Sequence, residues 1–502
     1  MINIQFPNDN EKWIPEAHAR IYEQYAEHAA WYSGDSTQLS NFYSSKRFTP
    51  MGNGRFWGEN IGANDHRSVI HVPLAGDIAT FSSDLLFAAT PEITIPEAYQ
   101  ENSTGRARAT QADERLQQII ERGGIMTRLL EAGETSAAMG GVFLKPTWDR
   151  EIADVPILSV AQPDNAIPYF EHGFLTGVLF HKELIRDGSK VYRLLELHTN
   201  GWIQNALYIG DDFGLGRRVP LTYMSETENI EPFIDTKIPT VLARYIPNKR
   251  PHKRFRGTAL GMSDIQGAES LLDSLDLTMT SWIRDIVLGR ARLHVPEQLL
   301  KNHGNGRVAF DGGQELYVEL DIDATMLEGQ SPLTATQFQI RTNEHQATAT
   351  ELISKILHMA GYAPQSFGMN LEGSSAISTE SHEIRQRKTM ITKQKKEQLY
   401  RGPIAETLEL MLLIDNIHLG NTTPTEFRPN VAFSDTLGQT MSAVSKTVQM
   451  LQTAQSASIQ TRVEMLHPDW SVEEIAAEVE RIKEETGLNV ESPINIGGIP
   501  RL

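Results

Sequence analysis

The sequence has no cysteine, which excludes disulfides, thiolate metal sites and thiol catalysis. It also has no Gly-Lys dipeptide, so the phosphate-cradling GxxxxGK(S/T) loop of a P-loop ATPase cannot be written into it. Neither HExxH nor GxSxG occurs among its residues, removing the commonest zinc-hydrolase and serine-hydrolase signatures. Long apolar runs are missing as well. Stretches such as Met411 to Ile414 and Leu85 to Ala89 fall far short of the ~20 residues that span a bilayer. The start, Met1 to Trp13, is polar and lacks the basic-then-apolar pattern of a secretory leader. The expectation is a soluble protein made in a cytoplasm, not an enzyme, with no cofactor, no metal and no membrane partner.

Positive charge is scarce. Lys and Arg number 46 against 64 Asp and Glu, a formal net charge of -18. Such a balance argues against a simple nucleic-acid binder with a basic face. It is compatible with DNA passing nearby, because exposed charges are screened beyond about 8 Å at physiological salt and a conduit must avoid a strong phosphate grip. The 40% apolar and 22% charged content is ordinary globular usage, and 502 residues suggest more than one folding unit.

Along the chain, Glu16 to Tyr32 reads as an amphipathic helix with Ala19, Tyr22, Ala26 and Ala29 on its stripe. Val69 to Pro73 is strand-like, Asp77 to Ala88 helix-like, and Glu92 to Ile95 a short strand. Glu101 to Arg108 reads as an exposed polar loop, followed by a helix from Asp113 to Met139 bent at Gly123-Gly124. From Gly141 to Pro247 the apolar period becomes two, with strands at Val142 to Leu144, Ile157 to Ala161, Gly177 to Leu184, Val191 to Leu197 and Trp202 to Tyr208. Their links are too short for crossover helices, which makes this an antiparallel block. The glycine cluster from Gly210 to Arg217 lacks a following helix and reads as a turn.

At Ser263 the period switches again. Ser263 is a candidate N-cap, and Ile265, Ala268, Leu272, Leu275, Met279, Trp282 and Ile286 follow a 3-4-3-4-3-4 spacing up to Gly289. As one helix, Ser263 to Leu288 would be about 39 Å long. Two readings fit the seam: a helix packed against its own chain, or one packed beside copies of itself in a ring. Short strand signals follow at Arg292 to Val295, Arg307 to Phe310 and Glu315 to Leu320, and then a second helix from Phe338 to Ala360 with Leu352, Ile353, Ile356 and Leu357 on its buried side. The pair Asp321 and Asp323 has metal-ligand chemistry but reads as a solvated accident.

Gly361 to Ser378 is Gly-, Ser- and Asn-rich, a flexible loop by composition. A long helix then runs from Thr379 to about His418, basic at first (Arg385, Arg387, Lys388, Lys393, Lys395, Lys396, Arg401) and apolar later, with a kink expected at Gly402-Pro403. The basic stretch is either a solvated helix face or, if it borders a channel, a set of transient phosphate contacts at Arg385, Lys388, Lys393, Lys395 and Lys396. Helices at Thr440 to Ala454, Ser458 to Met465 and Ser471 to Thr486 close the chain, the last with a Ser471/Glu474 capping box. His467 to Trp470 reads as a turn between two of them. The fold class is α+β.

Several strings, in this order, resemble the portal proteins of long-tailed phages, in the group like the portal of the Bacillus phage SPP-one. They are Trp31-Tyr-Ser-Gly-Asp35, His71-Val-Pro-Leu-Ala-Gly-Asp-Ile78, Asp84-Leu-Leu-Phe87, Gly261-Met-Ser-Asp-Ile265, Phe433-Ser-Asp435, Ser458-Ile-Gln-Thr-Arg-Val463, His467-Pro-Asp-Trp470 and Glu478-Val-Glu-Arg-Ile482. Each string is short; their shared order over most of the chain carries the resemblance. The resemblance implies the portal fold: a wing over 1–262 containing the β block 141–247, stem helices at 263–289 and 338–360, and a clip at 290–337. It further implies a tunnel loop at 361–378, a long kinked helix returning to the wing over 379–435, and a helical crown and tail over 436–502.

The resemblance also implies a homo-oligomeric ring, usually of twelve, at the portal vertex of a virion. Its partners would be double-stranded DNA bound without sequence specificity, the terminase, a head-tail adaptor, and the major capsid and scaffold proteins. The implied tunnel-loop residues are Gly361, Gly368, Asn370, Glu372, Gly373, Ser374 and Ser375. Clip contacts to adaptor or terminase fall on His303, Asn305 and Arg307, and subunit packing on Ile265, Leu272, Leu275, Met279, Trp282 and Ile286. The competing reading is a non-portal phage structural or scaffold protein assembled through helical packing; a terminase-like ATPase is remote without a Walker lysine.

Overall fold

The change of apolar period near Gly141 marks a real boundary between helices and antiparallel sheets. We describe the chain from a computed structural model covering residues 4–49, 51–58, 69–96, 103–289, 292–294, 301–302, 308–309, 334–336, 340–369, 379–433, 441–454, 456–467, 470 and 472–485. It divides into two units, Met1–Ser434 and Asp435–Leu502.

The first unit opens with helices α1 (Glu16–Tyr32), α2 (Ser36–Ser45) and α3 (Leu74–Phe87), then strand β1 (Glu92–Thr94) and helices α4 (Ser103–Arg122) and α5 (Ile125–Met139). The α1 bounds match expectation, but its buried face does not: Ala26 is exposed, whereas Ile21, Gln24, Tyr25, Glu27, His28 and Trp31 are buried. An apolar stripe misses this face because part of it is polar and satisfied internally. Trp31 Nε1 donates to Tyr43 Oη at 2.8 Å, and Tyr43 Oη donates to Glu27 at 2.8 Å. Residues 69–73 form no strand. The expected loop before Arg108 is instead the first turns of α4, whose Ala109, Ala112, Leu116 and Ile119 are fully buried further along. Gly124 at φ +58° separates α4 from α5, a left-handed conformation that suits glycine.

The β block is β2 (Gly141–Thr147), β3 (Ile157–Ala161), β4 (Ala166–Glu171), β5 (Phe174–Asp187), β6 (Lys190–Thr199), β7 (Trp202–Gly210), β8 (Arg217–Val219), β9 (Phe233–Asp235) and β10 (Arg244–Pro247). These make two sheets. One is three-stranded in the order β10-β2-β3; the other is six-stranded, with β4-β5-β6-β7-β8 in sequence order and β9 also on β7. All pairs are antiparallel, as the short links require. The β6–β7 register, Thr199 opposite Trp202, leaves the two-residue turn Asn200-Gly201, with Gly201 at φ +84°, a familiar hairpin signal.

Beyond the sheets come α6 (Glu269–Leu288), the strands β11 (Arg292–His294), β12 (Lys301–Asn302), β13 (Val308–Ala309) and β14 (Thr334–Thr336), then α7 (Thr342–Ala360), α8 (Thr379–Ile414) and β15 (Asn430–Ala432). β11 pairs with β14 and β12 with β13, so short antiparallel pairs do sit between the two helices. The expected strand at Glu315 to Leu320 and the pair Asp321/Asp323 lie outside the described residues. α8 runs helical through Pro403 and passes into a π turn at Asp415–Leu419. Its Tyr400, Ile404, Leu408 and Met411, spaced four, four and three residues apart, are buried in one core with α4, α5 and β2. β15 returns to pair with β1.

The second unit holds α9 (Met441–Thr453), α10 (Ile459–Leu466) and α11 (Val472–Glu485). Ser458 caps α10, accepting from Thr461 N at 3.1 Å. Val463, Ile475 and Val479 form its small core. Ser471 lies outside the described residues, so the expected capping box does too.

Candidate functional site

The apolar seam that leads into α6 and runs along it divides into two halves. Ile265, Ala268, Leu272 and Leu275 are buried in the chain's own core with Trp31, Tyr43, Trp57, Ile78 and the α7 residues Ile356 and Leu357. Met279 packs on that core only partly buried, and Trp282 stacks on His345 with ring centroids 6.0 Å apart. Further on the seam opens: Ile286 is 42% exposed and its neighbours Val287 and Leu288 are 51% and 41% exposed. Ile265, Leu272 and Leu275 therefore serve private packing rather than packing between subunits, which corrects their assignment. Burial this deep leaves no surface to offer a neighbour. The free end of α6 is tied to α7 by Asp285, which pairs with Arg341 at 2.9 Å and His345 at 3.0 Å.

Helix α6 starts at Glu269, not Ser263. The chain before it is held otherwise: Ser263 Oγ donates to Ala137 O, Gly267 sits at φ +91°, and Asp264 is drawn into a buried polar hub. Asp264 Oδ2 accepts from Lys396 Nζ at 2.7 Å and from Tyr362 Oη at 2.7 Å. Its Oδ1 accepts from Asn248 Nδ2 at 2.8 Å and from Lys249 Nζ at 2.9 Å. Lys396 also donates to Ser82 Oγ on α3. Burial pushes the Asp264 carboxyl up, but the Lys249 and Lys396 ammoniums outweigh it and hold it well below the usual carboxylate range.

The hub sits where α7 ends. Tyr362 N donates to Leu357 O at 2.9 Å and Gly361 N to His358 O at 3.3 Å, a Schellman closure with Gly361 at φ +104°. Thr392 Oγ1 donates to Gly361 O at 2.6 Å, Lys388 Nζ donates to His358 O at 2.5 Å, and Lys249 Nζ donates to Ala360 O. Cations at a helix C-terminus are favoured by its dipole. Gly361, expected in a loop facing DNA, is thus a helix terminator. Gly368, at φ +75°, ends the short 3-10 turn Pro364–Phe367, whose Phe367 packs on Phe81 at 4.4 Å between ring centroids.

Two of the expected phosphate contacts are corrected by burial. Lys393 and Lys396 are each 1% exposed; Lys393 pairs with Glu397 at 3.5 Å and Lys396 with Asp264. Lys388, on α8, is half-buried against the end of α7, while Lys395 is exposed. Arg385 belongs to α8, but its side chain lies outside the described residues, as do Asn370, Glu372, Gly373, Ser374, Ser375, His303, Asn305 and Arg307.

One cluster goes beyond the sequence-based expectations. Between β10 and the hub, Lys249-Arg-Pro-His-Lys-Arg-Phe-Arg256 places five cations in eight residues. The sequence does carry a signal for it: from Thr236 to Ser263 the chain has no acidic residue. Among the described residues, no group of three or more His, Asp or Glu side chains is placed to hold a metal ion, and no helix is long and apolar enough to cross a membrane.

Residues 11–491 match the family model described as "Phage portal protein, SPP1 Gp6-like". No curated protein matches the chain. Two solved structures are similar at low identity. A chain of "Neck of empty GTA particle computed with C6 symmetry" is 11% identical, with a TM-score of 0.42, covering 79% of this chain and 90% of its own. A chain of "Virion of native gene transfer agent (GTA) particle" is 11% identical, with a TM-score of 0.40, covering 91% of this chain and 96% of its own. The family match runs through the helical layer, the antiparallel sheets, the α6–α7 pair and the C-terminal helices alike, and the chain belongs to the SPP1 Gp6-like family of phage portal proteins.

Proposed function

We propose that this chain is one subunit of a ring, of twelve copies in the particle, that forms the channel at one capsid vertex through which double-stranded DNA is packaged, retained and ejected. Family membership over residues 11–491 is the observation that carries this reading. In it, 1–262 is the wing, α6 and α7 the stem, 290–337 the clip that meets terminase and then the head-tail adaptor, 361–378 the tunnel loop, and 436–502 the crown and tail. Major capsid and scaffold proteins surround the ring. The apolar end of α6, left uncovered in the single chain at Ile286, Val287 and Leu288, supports a lateral neighbour there, since exposed apolar side chains gathered in one place mark interaction sites.

The channel does no bond-making of its own. Energy comes from the terminase, and the acidic chain, with its net charge of -18, keeps DNA contacts weak and exchangeable. Negative-stain microscopy of the purified full chain tests the reading. Rings with an axial hole are expected; filaments or single subunits at every concentration would replace it with the scaffold reading.

A further inference from the structure

The basic loop between β10 and the hub is built rather than loose. Met262 N donates to Lys249 O at 3.0 Å, Phe255 N donates to His252 Nδ1 at 3.0 Å, and Asn248 Nδ2 donates to Met262 O at 2.9 Å. His252 is buried beneath the loop, which turns Arg250, Lys253, Arg254 and Arg256 outward as exposed side chains. Arg254 reaches Glu27 at 4.0 Å. Among the described residues, Arg250, Lys253 and Arg256 pair with no carboxylate. This sets them apart in a chain where Asp and Glu exceed Lys and Arg and where Arg115, Arg122, Arg186 and Arg244 are all paired.

Next to the loop lies a cavity of about 340 Å³ lined by Lys249, Lys253, Arg254, Gln266, Glu269 and Met359, among others. Its acidic groups are already answered from inside the protein. Glu269 accepts from Gly267 N at 2.8 Å and lies 3.4 Å from His28, and Asp264 is held by two lysines. Gln266 contributes a buried amide oxygen without a partner. The unanswered charge at this mouth is positive.

We infer that the loop Lys249 to Arg256 is a binding site for the phosphate backbone of double-stranded DNA, with Arg250, Lys253 and Arg256 as its contacting side chains. Three features favour phosphodiester over an acidic protein face. The cations recur every third residue on a pinned loop, so little ordering entropy is lost on binding. The loop exposes no large apolar side chain of its own, whereas protein interfaces have an apolar or aromatic centre. And Lys249 and Lys388, which close α7, put the loop at the foot of the chain segment that continues past Gly361. Contacts of this kind position DNA without reading its sequence. The inference rests on the conduit reading, and it supplies that acidic chain with a defined place where DNA is touched.

The test is the salt dependence of binding of a fluorescein-labelled, mixed-sequence linear duplex to the full chain, read by anisotropy on particles of wild-type mass isolated by size exclusion. In Arg250→Gln/Lys253→Gln/Arg256→Gln, the slope of log affinity against log salt should shrink by about 0.9 for each phosphate that is no longer neutralised, up to about 2.7 for all three. The charge-conserving Arg250→Lys/Arg256→Lys should keep the wild-type slope. An unchanged slope in the triple variant overturns the inference. So does a fall in particle mass in the triple variant with wild-type affinity in what remains, which would assign the loop to an acidic face of another copy. Microscopy on the same wild-type sample separates the two proposals: rings with an unchanged slope sink this site alone, whereas absence of rings sinks the conduit reading.

Discussion

Lys396 Nζ lies 2.7 Å from Asp264 Oδ2, and both side chains are buried. The pair joins α8 to the turn that launches α6, and Tyr362 just after α7, Asn248 and Lys249 just after β10, and Ser82 on α3 complete the network. Charges this deep persist only when each is matched.

Replacing Lys396 with Met therefore leaves Asp264 with Lys249 as its remaining cation. We expect a loss of about 3 kcal/mol of stability by urea denaturation, the scale for breaking a buried pair. The double variant Asp264→Asn/Lys396→Met should cost less than the two single changes added together, because neither residue is then left as an uncompensated charge. Strict additivity would show that the two do not interact.

The same hub sets an acid limit. Asp264 is held below the ordinary aspartate value of 3.8 by Lys249 and Lys396, against the upward push of burial. The unfolded carboxyl takes up its proton first, so the stabilisation is complete above that value and drains away as the pH falls below it. Stability measured from pH 6 down to about 2.5 should fall less steeply in Asp264→Asn than in the unaltered chain. Parallel curves would remove Asp264 as the cause.

The hub also explains where the sequence is legible and where it is not. Periodicity locates nearly every long helix and the antiparallel block, because α5, α7 and α8 bury apolar residues at helical spacing and β6 buries Val191, Arg193, Leu195 and Leu197 at alternate positions. It misplaces the start of α6, since Ile265 and Ala268 continue the seam of a helix that the buried Asp264 and the left-handed Gly267 prevent from forming there. Lys396 reads as surface charge because its neighbours in sequence do not reveal a carboxylate supplied from a position 132 residues away, whereas the partner of Lys393, Glu397, lies one helical turn on. The Lys249 to Arg256 cluster is legible as a charge run without acids, but it falls between recognisable elements, where no period draws attention to it.

At the end of α7, Gly361→Ala should destabilise by about 2 kcal/mol. Its φ of +104° is costly for any L side chain, and the new methyl would meet Thr392 Oγ1 at 2.9 Å. Gly368→Ala, at φ +75° with nothing within 4 Å, should cost about 1 kcal/mol. Hydrogen exchange at Tyr362 and Gly361 reads the difference directly. Equal protection in both variants would show that the Schellman closure contributes little.

Asp276 is the most deeply buried of the three carboxylates buried on α6, the others being Glu269 and Asp273. It accepts from Trp57 Nε1 at 3.0 Å, Val72 N at 2.8 Å and His71 Nδ1 at 2.7 Å, pinning residues 56–58 and 69–73 to the helix. Asp276→Asn keeps the volume but replaces one acceptor oxygen with a donor, leaving at least one buried donor unmatched. A loss of about 2 kcal/mol is expected, with a shift in Trp57 emission as the nearest reporter. No change in either quantity would mean that the segment is held by apolar packing alone.

The two halves of the α6 seam should respond oppositely to mutation. Leu272→Ala and Leu275→Ala each remove a side chain that is 1% exposed inside the chain's own core, so each should cost about 2–5 kcal/mol of stability. Ile286→Ser/Val287→Ser removes side chains that are 42% and 51% exposed, and the folded subunit should lose less than about 1 kcal/mol, as surface changes do. Yet if neighbours close over this end of the helix, that second variant is the one that fails to assemble. Native mass spectrometry should then find folded single subunits where the unaltered chain gives rings. Rings formed as readily by Ile286→Ser/Val287→Ser would move the lateral contact off α6 and leave the seam as private packing throughout.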